Sequence, residues 1–306
     1  MPTFHPSAAP APSTAPAFRG RIGAAERSGY PPVPHRYRLH LTPSCTNGLR
    51  IAVTHSLLDL ARTLPATRLP AVPDTPDGTG YLALRPLYQA SAHRYRGPLA
   101  APLLSDDWTG RIVSTRTPDI LDDLTRHFAH RGPDDLRGRG GAGPLRAVEW
   151  LCEQDINAAA QQAGRADTGP DTREAALRTL LNGLQAAEHH LAEREFWMDD
   201  RLTLADVQLW ATLVQLDTVH RWHLDAAAVH RLAGHPRLWA YARRLAAHPA
   251  FGAHLDLDGI ALRHHAHCRG REAAGAAMPI VDWAAAAARQ PSATPAPAPE
   301  PVANGG

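Results

Sequence analysis

Residues 37–41 alternate apolar and polar side chains (Tyr-Arg-Leu-His-Leu), the two-residue period of a half-buried strand. From Gly48 to Ala61 the period lengthens: Leu49, Val53, Leu57 and Leu60 recur every three or four positions, as on one face of a helix. Thr67 to Val72 reads as a second strand and Tyr81 to Gln89 as a helical stretch. Ala100 to Ser105 and Gly110 to Ser114 read as two further strands. Thr117 to Phe128 closes the series as a helix with Ile120, Leu121 and Leu124 on one face. The predicted order is βαβ followed by ββα.

Between His130 and Pro144 glycine, proline and aspartate crowd together and interrupt any regular element. After this break the strand signal disappears. Arg173 to Arg194 carries Leu177, Leu180, Leu181, Leu184 and Leu191 at helical spacing, and Leu204 to Val219 carries Leu209, Leu213 and Leu216. Thr203 can cap the latter helix while Asp206 reaches back to the backbone N–H of the cap, and Leu202 can pack against Val207. The pattern therefore predicts an α/β domain at 35–130, a linker at 131–144 and an all-helical domain at 145–268.

Composition changes this picture mainly at the ends. Residues 1–34 are rich in Pro, Ala and Ser and read as a disordered N-terminus, and 269–306 read as an extension followed, from about Gln290, by a Pro/Ala-rich tail with too little apolar surface to order itself. Any helix near Trp283 is expected to pack loosely or not at all. The formal net charge is +2 and all 32 basic residues are arginines scattered along the chain, which argues against a nucleic-acid partner. Apolar runs long enough for a membrane span are missing, as is a signal-peptide core, so a soluble, cytoplasmic protein is expected. The three cysteines, Cys45, Cys152 and Cys268, form no CxxC and no disulfide framework. Along the chain His and Cys make no group at metal-ligand spacing, and neither a metal nor a nucleotide is expected.

Cys45 is the residue with chemical promise. It lies where a strand and tight turn give way to a helix, and the first turn of a helix offers unpaired N–H groups and the positive end of the dipole, both favouring thiolate. Arg50 follows one turn later and adds positive charge. The competing reading is a small apolar residue buried at a strand end.

A Cys at the start of the first helix, Pro102 at the head of the third strand and a capped central helix in a helical domain together resemble the glutathione transferase family. The nearest pattern is that of its Xi class, the glutathionyl-hydroquinone reductases. It is carried by Arg36-Tyr-Arg-Leu-His, Tyr95-Arg-Gly-Pro-Leu-Ala-Ala-Pro-Leu-Leu-Ser-Asp, Gly110-Arg-Ile-Val-Ser, the run from Ala205 to His220, and His235-Pro-Arg-Leu-Trp-Ala-Tyr. The resemblance spans about residues 35–265 and implies a thioredoxin-like first domain that binds a tripeptide thiol. It implies that Cys45 attacks the sulfur of a glutathionylated quinol, with Arg50 assisting, and that a second glutathione resolves the mixed disulfide. It further implies a cis bond before Pro102, thiol contacts from Asn47, Tyr81, Ala101, Pro102, Arg116 and Thr117, and contacts to an aromatic or quinone electrophile from Gln161, His220 and His264. A homodimer is carried over in the same way.

Departures from the family pattern are specific. The Xi motif Cys-Pro-Trp-Ala-His-Arg stands here as Cys45-Thr-Asn-Gly-Leu-Arg50, and the Glu-Ser pair that holds the γ-glutamyl group stands as Arg116-Thr117. Losing a charge-assisted hydrogen bond costs about 1.5–3 kcal/mol, and a facing cation adds repulsion. The family tyrosines are replaced by Gln161 and by His264 or His265, and Tyr81 stands where a stacking Trp is expected. These changes imply altered specificity, such as a sugar-based small thiol in place of glutathione. The rival expectation is a catalytically degenerate transferase fold kept as a binding protein.

Overall fold

The computed structural model describes residues 18–23, 29–129, 135–138, 142–198, 200–268 and 278–288. Its first domain runs β1 (Tyr37–Leu41), α1 (Thr46–Leu57), β2 (Ala66–Arg68), α2 (Arg85–Ser91), β3 (Leu103–Asp106), β4 (Arg111–Ser114) and α3 (Thr117–His127). The sheet order is β2-β1-β3-β4, with β1 and β2 parallel and β3 antiparallel to both of its neighbours. The alternation predicted this order of strands and helices, and the family resemblance implied its thioredoxin-like arrangement. In β1 the side chains of Tyr37, Leu39 and Leu41 are buried while Arg38 and His40 are half-buried.

α1 is buried on two sides, and this joins the domains. Ile51 and Ala52 enter the core against the sheet, whereas Leu49 and Val53 enter the core of the helical domain. A helix enclosed from both directions buries its polar residues as well, and Arg50, Thr54 and His55 are all inaccessible.

The folded domain begins ahead of residue 35. Arg19 bridges Ser114 in antiparallel register, the Gly20 N–H donates to Val113 O at 2.8 Å, and Ile22 is buried. Arg21 donates through Nε to Asp123 at 2.8 Å and also pairs with Asp122. The Pro/Ala composition of 1–34 pointed to disorder. Residues 18–23 instead extend the sheet beyond β4, because an ion-pair anchor and one apolar side chain outweigh the local composition. A Cβ on Gly20 would meet Val113 O at 2.7 Å, so only glycine permits this approach. The rest of the expected N-terminal segment, 1–17 and 24–28, lies outside the described residues.

Of the expected linker, 131–134 and 139–141 lie outside the described residues. Within it Leu136 is buried, and its carbonyl accepts from the Leu204 N–H at 2.7 Å. The helical domain consists of α4 (Ala142–Trp150), a π-helical segment (Leu151–Ala158), α5 (Ala159–Ala163), α6 (Pro170–His190) and α7 (Leu204–Thr218). It continues through a 3₁₀ turn (His220–His223), α8 (Ala226–Ala233), α9 (Pro236–Ala246), α10 (Pro249–Gly252), α11 (Leu257–Cys268) and α12 (Trp283–Ala288). The central helix α7 begins as its sequence predicts: Asp206 accepts from the Thr203 N–H and hydroxyl at 2.8 Å each, from the Trp197 N–H at 2.7 Å and from the Tyr241 hydroxyl at 2.8 Å.

The segment around Trp283 does not pack loosely. Buried Asp217 at the end of α7 accepts from the Ile280 N–H at 2.9 Å, the Val281 N–H at 3.0 Å and Trp283 Nε1 at 2.8 Å, and pairs with Arg221 at 3.2 Å. Trp283 is buried edge-to-face against Trp210. A carboxylate was needed to bind this segment, and composition gave no sign of it. The Pro/Ala tail from 289 lies outside the described residues, and no helix among those described is long and apolar enough to cross a membrane.

Candidate active site

Cys45 is the N-cap of α1, with the extended backbone typical of that position. Its Sγ accepts from the Gly48 N–H at 3.3 Å and, as a thiol, donates to Thr42 O at 3.4 Å. Gly48 is required by close approach, since a Cβ there would lie 2.0 Å from Thr42 O. Thus the tight turn from Thr42 to Gly48 fixes the sulfur at the start of the helix.

The sulfur faces a cavity of about 1120 Å³ between the two domains. Cys45, Asn47 and Ala101 line it from the first domain, and Gln161, His220 and His264 from the second. Six residues expected at the site are thereby brought together from five different elements or turns. The Ala101–Pro102 peptide bond is cis.

The other expected residues are elsewhere. Arg50 donates to Glu153 at 2.7 Å, Thr212 at 3.0 Å and Asn47 Oδ1 at 3.3 Å, so its guanidinium ties α1 to the helical domain. Tyr81 is buried outside the cavity lining, and its hydroxyl accepts from Arg263 at 2.9 Å. It holds a cation in place and offers no stacking face to a ligand. Arg116 is exposed at the start of α3, 3.5 Å from Asp119, and Thr117 is buried below it; neither lines the cavity.

Burial pushes the Cys45 thiol above its ordinary pKa, against the opposing pull of the Gly48 N–H, Arg263, the Asn47 N–H and Arg50. The sequence reading that the helix start and Arg50 favour thiolate gives the direction of these effects, and burial outweighs them. The helix start does favour the anion, yet desolvation of a sulfur packed between two domains is the larger effect. Arg263 acts on the thiol more strongly than Arg50 does. It was missed because α11 is remote in sequence and only the tertiary fold carries it to Cys45, where it also donates to Ala71 O at 3.0 Å. Since alkylation proceeds through the thiolate, its rate at Cys45 is expected to climb throughout the range from pH 7 to about 9 without levelling off. A plateau near neutrality, measured with iodoacetamide and peptide mapping, would contradict this.

His220 is buried and neutral: desolvation, with His223 and His264 nearby, pushes its pKa down to about 4. His264 meets His223 and Cys268 on the same wall. The sequence reading found no metal-ligand group, yet His264 and Cys268 stand four residues apart, a spacing that a helix brings onto one face, and folding adds His223 to them.

Comparison with known proteins agrees with this architecture. Residues 170–244 match the family model of the glutathione S-transferase C-terminal domain. Among curated relatives, glutathionyl-hydroquinone reductase PcpF of Sphingobium chlorophenolicum is 26% identical over 257 residues, covering 78% of this chain and 80% of that protein. Glutathione S-transferase omega-like 2 of Schizosaccharomyces pombe is 24% identical over 79% of this chain and 84% of its own length. Among solved structures, a glutathione transferase from Gordonia bronchialis is 26% identical with a TM-score of 0.72, covering 82% of this chain and 83% of its own. A Xi-class enzyme from Natrialba magadii shares the fold at 22% identity and a TM-score of 0.74, over 90% of this chain and 91% of its own.

Proposed function

We propose that this chain, which shares the glutathione transferase fold and matches the C-terminal domain model of that family over residues 170–244, removes a thiol conjugate reductively from quinol-type compounds, with Cys45 as nucleophile. The observation that carries the reading is the position of Cys45 at the N-cap of α1, facing an inter-domain cavity large enough for both a small thiol and an aromatic ring. The names of the relatives, glutathionyl-hydroquinone reductases among them, support the same class of reaction.

In the first step the Cys45 thiolate attacks the sulfur of the glutathionyl thioether. A Cys45–glutathione disulfide forms, the aryl C–S bond breaks, and the ring carbon takes a proton to give the free quinol. Free glutathione then attacks the mixed disulfide, leaving glutathione disulfide and the Cys45 thiol. Each turnover joins one free glutathione thiol and the thioether sulfur as a disulfide and reduces the ring carbon by the same two electrons, so no other redox partner is needed. Because Cys45 must ionise from a raised pKa, activity should increase towards alkaline pH.

After the Gly48 N–H, the Arg263 charge is the strongest opponent of the burial that raises the Cys45 pKa. Replacing Arg263 with glutamine retains a donor to Tyr81 but removes the charge, and Cys45 alkylation at pH 7 is expected to slow by about 3–10-fold, equivalent to a pKa rise of half to one unit. An unchanged rate would remove Arg263 from the mechanism.

The catalytic reading is tested by incubating the protein with a glutathionyl-hydroquinone and free glutathione and following quinol by chromatography. Formation of quinol with one glutathione disulfide per turnover supports it, and no turnover with any thiol supports a binding protein. A second reading, in which the thiol is not glutathione, is favoured by Arg116, which stands where the family carries a γ-glutamyl-binding Glu and is paired with Asp119. Turnover with a sugar-based thiol and not with glutathione would select it.

A further inference from the structure

The helical-domain side of the cavity carries a constellation that the exchange step at Cys45 does not use. His264 and Cys268 are four residues apart on α11 and so share a face, while His223 closes the 3₁₀ turn that follows α7. Nε2 of His223 lies 3.0 Å from Nε2 of His264, and Cys268 Sγ lies 3.1 Å from the first and 3.0 Å from the second. The two imidazole planes meet at 87°. His264 and Cys268 are buried, and all three residues line the cavity.

An imidazole nitrogen is either a donor or an acceptor, never both, so the three atoms can form at most two good hydrogen bonds among themselves. A cation between them would use all three lone pairs at once. Next to them stands His220, 5% exposed, whose Nε2 has no hydrogen-bond partner among the described residues. It precedes His223 by three positions in the same 3₁₀ turn, where residues at that spacing eclipse one another.

We propose that His223, His264 and Cys268 bind a zinc ion through Nε2, Nε2 and Sγ. Two imidazoles and a thiolate suit zinc, and three protein ligands leave its fourth tetrahedral position to a water or to a molecule in the cavity. With zinc–ligand bonds of about 2.0–2.3 Å, an ion equidistant from the three atoms would sit about 1–1.5 Å out of their plane. Binding displaces the Cys268 thiol proton to solvent, forms the Zn–S bond and changes no oxidation state. The site shares the cavity, and His264, with the electrophile-binding side of the proposed reaction, while the thiol exchange at Cys45 itself needs no metal.

Cobalt reports the thiolate ligand directly. The full-length protein, stripped with a chelator and titrated with cobalt(II), is expected to develop a thiolate-to-cobalt charge-transfer band at one metal per chain, and zinc is expected to abolish the band by displacement. Cys268→Ser should lose the band and Cys45→Ser should keep it, while His264→Gln should weaken zinc binding by at least about tenfold in competition with a chromophoric chelator. Thermal unfolding of the metal-free variants distinguishes a lost ligand from a lost fold. Absence of the band in the wild-type protein, or a band that survives Cys268→Ser or disappears with Cys45→Ser, would overturn the proposal.

Discussion

Replacing Cys45 with serine is expected to lower kcat/KM for quinol release by about 10³-fold or more while leaving the fold intact. The hydroxyl cannot ionise usefully at neutral pH and cannot form the disulfide on which the second step depends. Serine is also among the best N-cap residues, so the Gly48 N–H keeps an acceptor and the start of α1 keeps its geometry. Loss of activity should therefore come without loss of thermal stability, a combination that separates chemistry from structure. Equal falls in activity and stability would mean that the sulfur has mainly a packing role.

Asp217→Ala is expected to have the largest effect on stability, a loss of about 3–5 kcal/mol. Its carboxylate is fully buried and receives the N–H groups of Ile280 and Val281 and the Trp283 indole, and it is also the ion-pair partner of Arg221. Truncation would leave Arg221 buried without its ion-pair carboxylate and release the segment that brings Trp283 against Trp210. The midpoint of thermal unfolding should fall on the order of 10 °C. A midpoint within a degree or two of the wild type would show that the 278–288 segment contributes little to the core.

How much of this was legible in the chain depends on the range of the interaction. The strand Tyr37–Leu41 and the capped start of α7 were readable because alternation and capping act over a few residues. The position of Cys45 at the start of a helix was readable for the same reason. Its ionisation was not, because desolvation comes from the packing of α1 between two cores and Arg263 arrives from more than 200 residues away. Arg50 looked like a thiolate partner by proximity in sequence, yet Glu153 and Thr212 claim its guanidinium across the domain boundary. Phe18 to Gly23 looked disordered by composition and was drawn into the fold by Asp122 and Asp123, residues about a hundred positions distant. The meeting of His223 with His264 and Cys268 likewise needed the turn after α7 to fold back on α11.

The central claim is that the sulfur at the start of α1 exchanges with a small thiol held in the inter-domain cavity. Intact-mass analysis after incubation with glutathione disulfide, followed by peptide mapping, examines that sulfur alone. The account predicts one glutathionyl group on Cys45, absent from Cys45→Ser and removed again by free glutathione. A protein that stays unmodified at Cys45 with glutathione disulfide and with the disulfides of sugar-based thiols alike would contradict it.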